Sequence, residues 1–97
     1  MARFDLYRSD GGYLVDVQSN LITGLGTRLA VPLLDAAMVP PPTRKLHPAF
    51  DIEGRTYVMA THLMGAVPIN LLGPKVGSLD DHYDQIVAAI DMIFLGF

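Results

Sequence analysis

The sequence predicts a mainly β protein that ends in one α-helix, and two observations support this fold class. Up to residue 77, short segments of alternating apolar and polar residues are separated by glycine and proline turns, which is typical of antiparallel strands. From Ser78 onward the apolar residues recur at helical spacing instead. The chain has 97 residues and no internal repeat, so we expect a single domain, residues 1–97.

The strand-like segments are RFDLYR (3–8), YLVDVQS (13–19), TRLAVPLL (27–34), AFDIEGRTYVMAT (49–61, two strands around a Glu-Gly turn) and AVPINLL (66–72). The turn SDGG between the first two segments predicts a hairpin. Alternation places Phe4 and Leu6 on the buried face, and Asp16 and Gln18 on the polar face. Pro32 favours an edge position or a bulge for its strand, because proline has no N–H for the ladder.

The C-terminal helix is predicted to begin at Ser78. Ser78 and Asp81 are spaced as in a capping box, and Asp80 and Asp84 also lie where the helix dipole favours negative charge. The predicted apolar stripe consists of Tyr83, Ile86, Val87, Ile90, Ile93, Phe94 and Phe97. The last turn is apolar almost all round, so one sheet cannot bury all of it. We therefore expect a partner to cover part of this end.

Composition excludes several classes of function. The chain has no cysteine, which excludes disulfides and thiolate chemistry. Its net charge is −3 and its longest basic run is Arg44-Lys45, which disfavours direct nucleic-acid binding. No apolar stretch approaches the ~20 residues that a membrane span needs. The first residues lack the apolar region of an export signal, so a cytoplasmic location is expected.

Five segments, taken in order along nearly the whole chain, resemble the CcdB family: YLVDVQSNLI, TRLAVPL, LHPAFDIEG, MATHLMGAVPINLLG and AAIDMIFLGF. The specific feature is VDVQS near the start combined with FxG and an apolar residue at the end. The resemblance implies an SH3-like barrel, the fold shared with the MazF and PemK ribonucleases. It also implies a homodimeric toxin of a toxin–antitoxin system that traps DNA gyrase in a cleavage complex by binding its A subunit. A CcdA-like antitoxin, disordered when free, would fold on the toxin and remove it.

The resemblance implies a gyrase-binding set made of Leu21, Ile22, Asp91, Phe94, Leu95, Gly96 and Phe97. Leu95 stands where the family usually has tryptophan, Asp91 where it has asparagine, and Phe97 where it has isoleucine. Leucine keeps the apolar contact but loses the stacking of a tryptophan ring on an arginine of the partner. Phe94 fits equally well in the core of its own subunit, whereas Leu95 and Phe97 favour an interface.

Exposed cations suggest where an acidic antitoxin segment binds: Arg8, Arg44 and Lys45. We expect neither a cofactor nor a metal, because His47, His62 and His82 are spread along the chain without ligand spacing.

No active site is expected, but two alternatives remain open. A MazF-like endoribonuclease on the same fold would use a basic groove, drawn from Arg28, Arg44, Lys45 and Arg55, and His62 as a general acid. The negative net charge argues against it. The second alternative is a non-toxic relative that only binds the antitoxin.

Overall fold

The computed structural model describes residues 1–41, 43 and 45–97. Within these residues the strands are β1 (Asp5–Ser9), β2 (Gly12–Asp16), β3 (Thr27–Asp35), β4 (Ala49–Ile52), β5 (Arg55–Met59), β6 (Gly65–Pro68) and β7 (Lys75–Ser78). One α-helix follows, α1 (Tyr83–Leu95). The predicted order, strands first and then one C-terminal helix, is confirmed.

The strands form one antiparallel sheet in the order β4-β5-β3-β2-β1-β7. Strand β3 is the centre of this sheet, because it pairs with β2 along one side and with two different strands along the other. Its residues 27–30 pair with β6, and its residues 33–35 pair with β5. The sheet therefore forks along β3 and curls into a half-barrel.

The expectation for Pro32 was wrong, because β3 is an internal strand. Pro32 is opposite Leu14 of β2 and lies in the short interval where pairing with β6 has ended and pairing with β5 has not begun. Its carbonyl accepts a hydrogen bond from the Ala60 N–H at 2.9 Å. The proline nitrogen faces the same side of the strand, toward Ala60, whose carbonyl accepts from the Leu63 N–H instead.

Helix α1 docks on the sheet through its first half. Ile86 and Ala89 are buried in the main core, and Val87 and Ile90 pack against it. Burying a side chain such as Ile86 contributes about 1.5–3 kcal/mol. The exposure of the apolar side chains then rises toward the C-terminus, so the predicted stripe is only partly a core stripe. This helix is too short and insufficiently apolar to cross a membrane, and the described residues contain no other candidate.

Three further expectations need correction, and one strand was missed. Asp16 and Gln18 are buried, so the face that alternation assigned to solvent is covered at the end of β2. The helix begins at Tyr83 after a 3-10 turn (residues 80–82), and Ser78 Oγ accepts from the Asp80 N–H and forms no capping box with Asp81. Strand β6 ends at Pro68, because residues 69–71 form a second 3-10 turn. Strand β7, which pairs with β1, was not predicted.

Candidate functional site

The C-terminal tip, residues 94–97, is an exposed apolar surface. The exposed fractions of Phe94, Leu95 and Phe97 are 68%, 61% and 74%. Within the subunit, therefore, neither phenylalanine packs into the core, although the sequence left this open for Phe94. Asp91 lies half-buried one turn earlier in the helix.

Gly96 sets the shape of this tip. Its φ of 81° and ψ of 9° are left-handed, and its N–H donates to the Met92 carbonyl at 3.0 Å. This is the usual glycine-terminated end of a helix, and it turns the last residue away from the helical path. A Cβ at Gly96 would meet no atom within 4 Å, so the backbone angle, and not crowding, requires glycine there.

A second apolar projection is the β2–β3 loop, residues 17–26. Leu21 is 94% exposed and Ile22 is 49% exposed, and Leu25 is also exposed. A short turn presents the first two side chains: the Ile22 N–H donates to the Ser19 carbonyl, and the Leu21 N–H donates to Ser19 Oγ, both at 3.1 Å. The two predicted parts of the gyrase-binding set thus lie on separate elements, and both are exposed.

A buried polar network supports the β2–β3 loop. Gln18 Nε2 donates to the Ile22 carbonyl at 2.9 Å, and Gln18 Oε1 accepts from the Leu29 N–H at 3.0 Å. The Gln18 N–H donates to Asp16 Oδ1 at 2.9 Å, and Arg28 Nε donates to Asp16 Oδ2 at 2.6 Å. Alternation alone placed Asp16 and Gln18 toward solvent. The sequence did contain one signal of this burial, because Arg28 on the neighbouring strand is a cation that can pair with Asp16.

The N-terminal turn links this loop to the helix. The Arg3 N–H donates to Asn20 Oδ1 at 2.7 Å. The Arg3 guanidinium lies over the rings of Phe4 and Tyr83, 5.0 and 5.1 Å from their centroids, and cation–π attraction favours this position. Phe4 is fully buried with a positive φ of 71°. One short segment thus contacts both the β2–β3 loop and the start of α1.

The predicted antitoxin-binding cations lie elsewhere. The Arg8 side chain is half exposed, 4.0 Å from Glu53, and borders a cleft of about 600 Å³ together with Arg55 and Asp35. The pKa of Asp35 is lowered, first by the hydrogen bond from the Ala37 N–H and second by the Arg55 guanidinium, which lies 2.9 Å away. Lys45 is exposed, and Arg44 lies outside the described residues.

Two of the residues that the endoribonuclease alternative names, Arg28 and His62, have partners within the chain. The Arg28 guanidinium is buried and paired with Asp16, so it cannot reach a phosphate. His62 Nδ1 lies 2.9 Å from His47 Nε2, a pair that the sequence spacing did not indicate. Burial, and then the charge of His62, lower the pKa of His47. Among the described residues, no three His, Cys, Asp or Glu side chains cluster as metal ligands would.

Comparison with known protein families agrees with this architecture. The family model described as CcdB protein matches residues 3–96, nearly the whole chain. The matched range includes the sheet, helix α1, the β2–β3 loop and all of the tip except its last residue.

Proposed function

Because this chain belongs to the CcdB family of toxins from toxin–antitoxin systems, we propose that it binds the A subunit of DNA gyrase and poisons the gyrase–DNA cleavage complex. The observation that carries this proposal is the exposed tip. Two phenylalanines and a leucine lie in solvent at the end of a helix whose first half supplies Ile86, Val87, Ala89 and Ile90 to the core. Contiguous apolar surface of this kind marks a binding site on a soluble protein.

A homodimer is part of the proposal. An isologous interface would place two copies of the tip on one surface and double the apolar area offered to gyrase. A 97-residue chain buries a modest fraction of its surface, so it also gains stability from association.

Asp91 would add charge recognition to the apolar contact. It precedes Leu95 by four residues, so the two side chains lie on the same face of α1. A basic group of gyrase that approaches Leu95 would then meet a carboxylate one helical turn away. Leu21 and Ile22 would supply the second contact region, because their turn holds both side chains in solvent.

The antitoxin would be an acidic, disordered segment that folds on the toxin. Arg8 and Lys45 are exposed, and Arg8 borders the cleft between β1, β2 and β5. Arg44, next to Lys45 in the sequence, completes the proposed cationic set. The toxin would act by binding alone, in the cytoplasm where gyrase works, and would need no catalytic residue.

The deciding experiment is induction of the protein in two matched bacterial strains, one with ordinary gyrase A and one with a toxin-resistant gyrase A. Growth should stop in the first strain and continue in the second. Equal arrest in both would refute gyrase as the target, and purified protein should then be incubated with RNA. Cleavage that is lost in a His62→Gln variant would establish the ribonuclease alternative. Growth of both strains, with antitoxin binding retained, would identify a non-toxic relative.

A further inference from the structure

One side-chain amide connects strand β3 to the exposed β2–β3 loop. The regular pairing of β2 with β3 ends at Asp16 and Ala30. Two residues beyond Asp16, Gln18 is 8% exposed, and its amide accepts from the Leu29 N–H and donates to the Ile22 carbonyl. Its two bonds, of 3.0 and 2.9 Å, replace the backbone pairing that the loop interrupts.

From this geometry we infer that Gln18 is a positioning residue, which holds Leu21 and Ile22 in the arrangement that binds gyrase. The inference rests on the proposed function. The side chain at position 18 must offer an acceptor to β3 and a donor to the loop at the same time. An amide does both in one plane, whereas a carboxylate offers only acceptors and a thioether offers almost nothing.

The charged pair of Asp16 and Arg28 holds the backbone of Gln18 in place. The Gln18 N–H is held by Asp16 Oδ1, and Asp16 Oδ2 is held in turn by Arg28 Nε. Arg28 Nη1 lies 3.5 Å from the same Ile22 carbonyl, at the limit of a hydrogen bond, so Gln18 supplies the stronger contact. Leu21 is almost fully exposed and has little packing of its own. Asn20 is held on the other side by the Arg3 N–H, so Gln18 is the anchor of the loop to β3.

Loss of the anchor should reduce the fraction of molecules that are ready to bind. The dissociation constant rises in proportion as the competent fraction falls. If one molecule in ten keeps the loop in place, the dissociation constant for gyrase rises about tenfold. The core residues beneath the sheet are unchanged by this loss.

Two variants test the inference. Gln18→Met has a similar length and removes both hydrogen bonds. Gln18→Glu keeps the acceptor for the Leu29 N–H and removes only the donor to Ile22. Its new charge lies beside Arg28, whose buried Nη2 has no hydrogen-bond partner in the described part of the chain, so this variant should fold. Thr61→Val is the matched control, because it removes a buried hydrogen bond to the Leu46 carbonyl, and neither residue belongs to the β2–β3 loop.

Two measurements separate positioning from general stability. The first is amide hydrogen exchange at Leu21 and Ile22 in the free protein, which requires no gyrase. The second is the dissociation constant for purified gyrase A subunit. Both Gln18 variants should exchange faster at these amides and bind about tenfold more weakly. Thr61→Val should match the wild type in both measurements.

Each other outcome is decisive. Unchanged exchange, or unchanged affinity alongside a wild type that binds, would overturn the role of Gln18. Equal losses in Thr61→Val would show that stability alone is responsible, and would also overturn it. If the wild type does not bind gyrase, the proposed function fails. The exchange data then decide separately whether Gln18 orders the loop.

Discussion

His47 Nε2 lies 2.9 Å from His62 Nδ1, and the Thr43 N–H donates to His47 Nδ1 at 3.1 Å. Because His47 Nδ1 accepts a hydrogen bond, the proton of the neutral ring is on Nε2, which donates to His62. This arrangement requires the His47 ring to be neutral. It joins the loop before β4 to the turn after β5, where Thr61 Oγ1 also donates to the Leu46 carbonyl.

The first prediction concerns the pH dependence of stability. The pKa of His47 is lowered from its ordinary value of 6.5 in the folded protein, so below that pH the unfolded chain binds more protons. The contribution of His47 to the free energy of unfolding is therefore complete above pH 6.5. It falls as the pH drops toward the folded pKa. Urea unfolding between pH 8 and pH 5 should show this loss in the wild type and in His82→Gln, and a smaller loss in His47→Gln. Parallel curves for wild type and His47→Gln would contradict the assignment.

The second prediction concerns the buried ion pair of Arg28 and Asp16. Arg28→Met should lower the free energy of unfolding by about 3–5 kcal/mol, because it leaves the Asp16 charge buried without a partner. Arg55→Met is the control, since it breaks an ion pair with Asp35 of similar length on the surface. Its effect on urea unfolding should be much smaller. Equal losses in the two variants would show that burial does not set the strength of these pairs.

The third prediction concerns the left-handed residue at the helix end. Gly96→Ala should destabilise the protein by about 1 kcal/mol, because alanine is disfavoured at positive φ. For a domain of this size, that corresponds to a fall of about 4–8 °C in melting temperature. Gly26→Ala is the matched control: Gly26 has no positive φ, and a Cβ there meets no atom. An unchanged melting temperature for Gly96→Ala would mean that the tip adopts another conformation in solution.

The fourth prediction separates binding from stability at the tip. Deleting the last three residues should abolish gyrase binding and toxicity. The free energy of unfolding should change by less than about 1 kcal/mol, because the buried residues of α1, Ile86 and Ala89, remain. Met38→Ser, at another exposed apolar position, is the control and should retain toxicity. Unfolding of the truncated chain would show that the tip belongs to the core.

The fifth prediction concerns the residue that replaces the usual tryptophan. Leu95→Trp should strengthen binding to gyrase A by about 1 kcal/mol, if its ring stacks on an arginine of the partner. Met38→Trp adds the same ring at an exposed site on another element, the turn after β3, and should leave the affinity unchanged. Weaker or equal binding by Leu95→Trp, measured by titration calorimetry, would indicate a different docking geometry.

Much of the fold could be predicted because it follows from local patterns. Alternation predicted β1 to β6, and the change of period predicted α1 to within a few residues. Strand β7, with the sequence KVGS, has a single apolar side chain and so shows no alternation of its own. The place of Pro32 inside the sheet depends on which strands flank β3, and local sequence does not contain that information.

The candidate site was predictable where it is exposed and less so where it is buried. The exposed end of α1 could be predicted, because its last turn is apolar on nearly all sides and one sheet can bury only one of them. The roles of Gln18 and Arg28 do not follow from alternation, because a polar residue on a strand usually faces solvent. His47 and His62 are separated by a β-hairpin, so their contact could be found only from the folded chain.

The fork in the sheet explains why a proline is tolerated at position 32 of the central strand. A single strand serves two neighbours on one side, and the two neighbours diverge next to Pro32. The carbonyl of Ala60, whose N–H donates to the Pro32 carbonyl, already accepts from the Leu63 N–H. A proline at this point therefore adds no donor that would compete for that carbonyl, and the central strand is shared without losing the turn after β5.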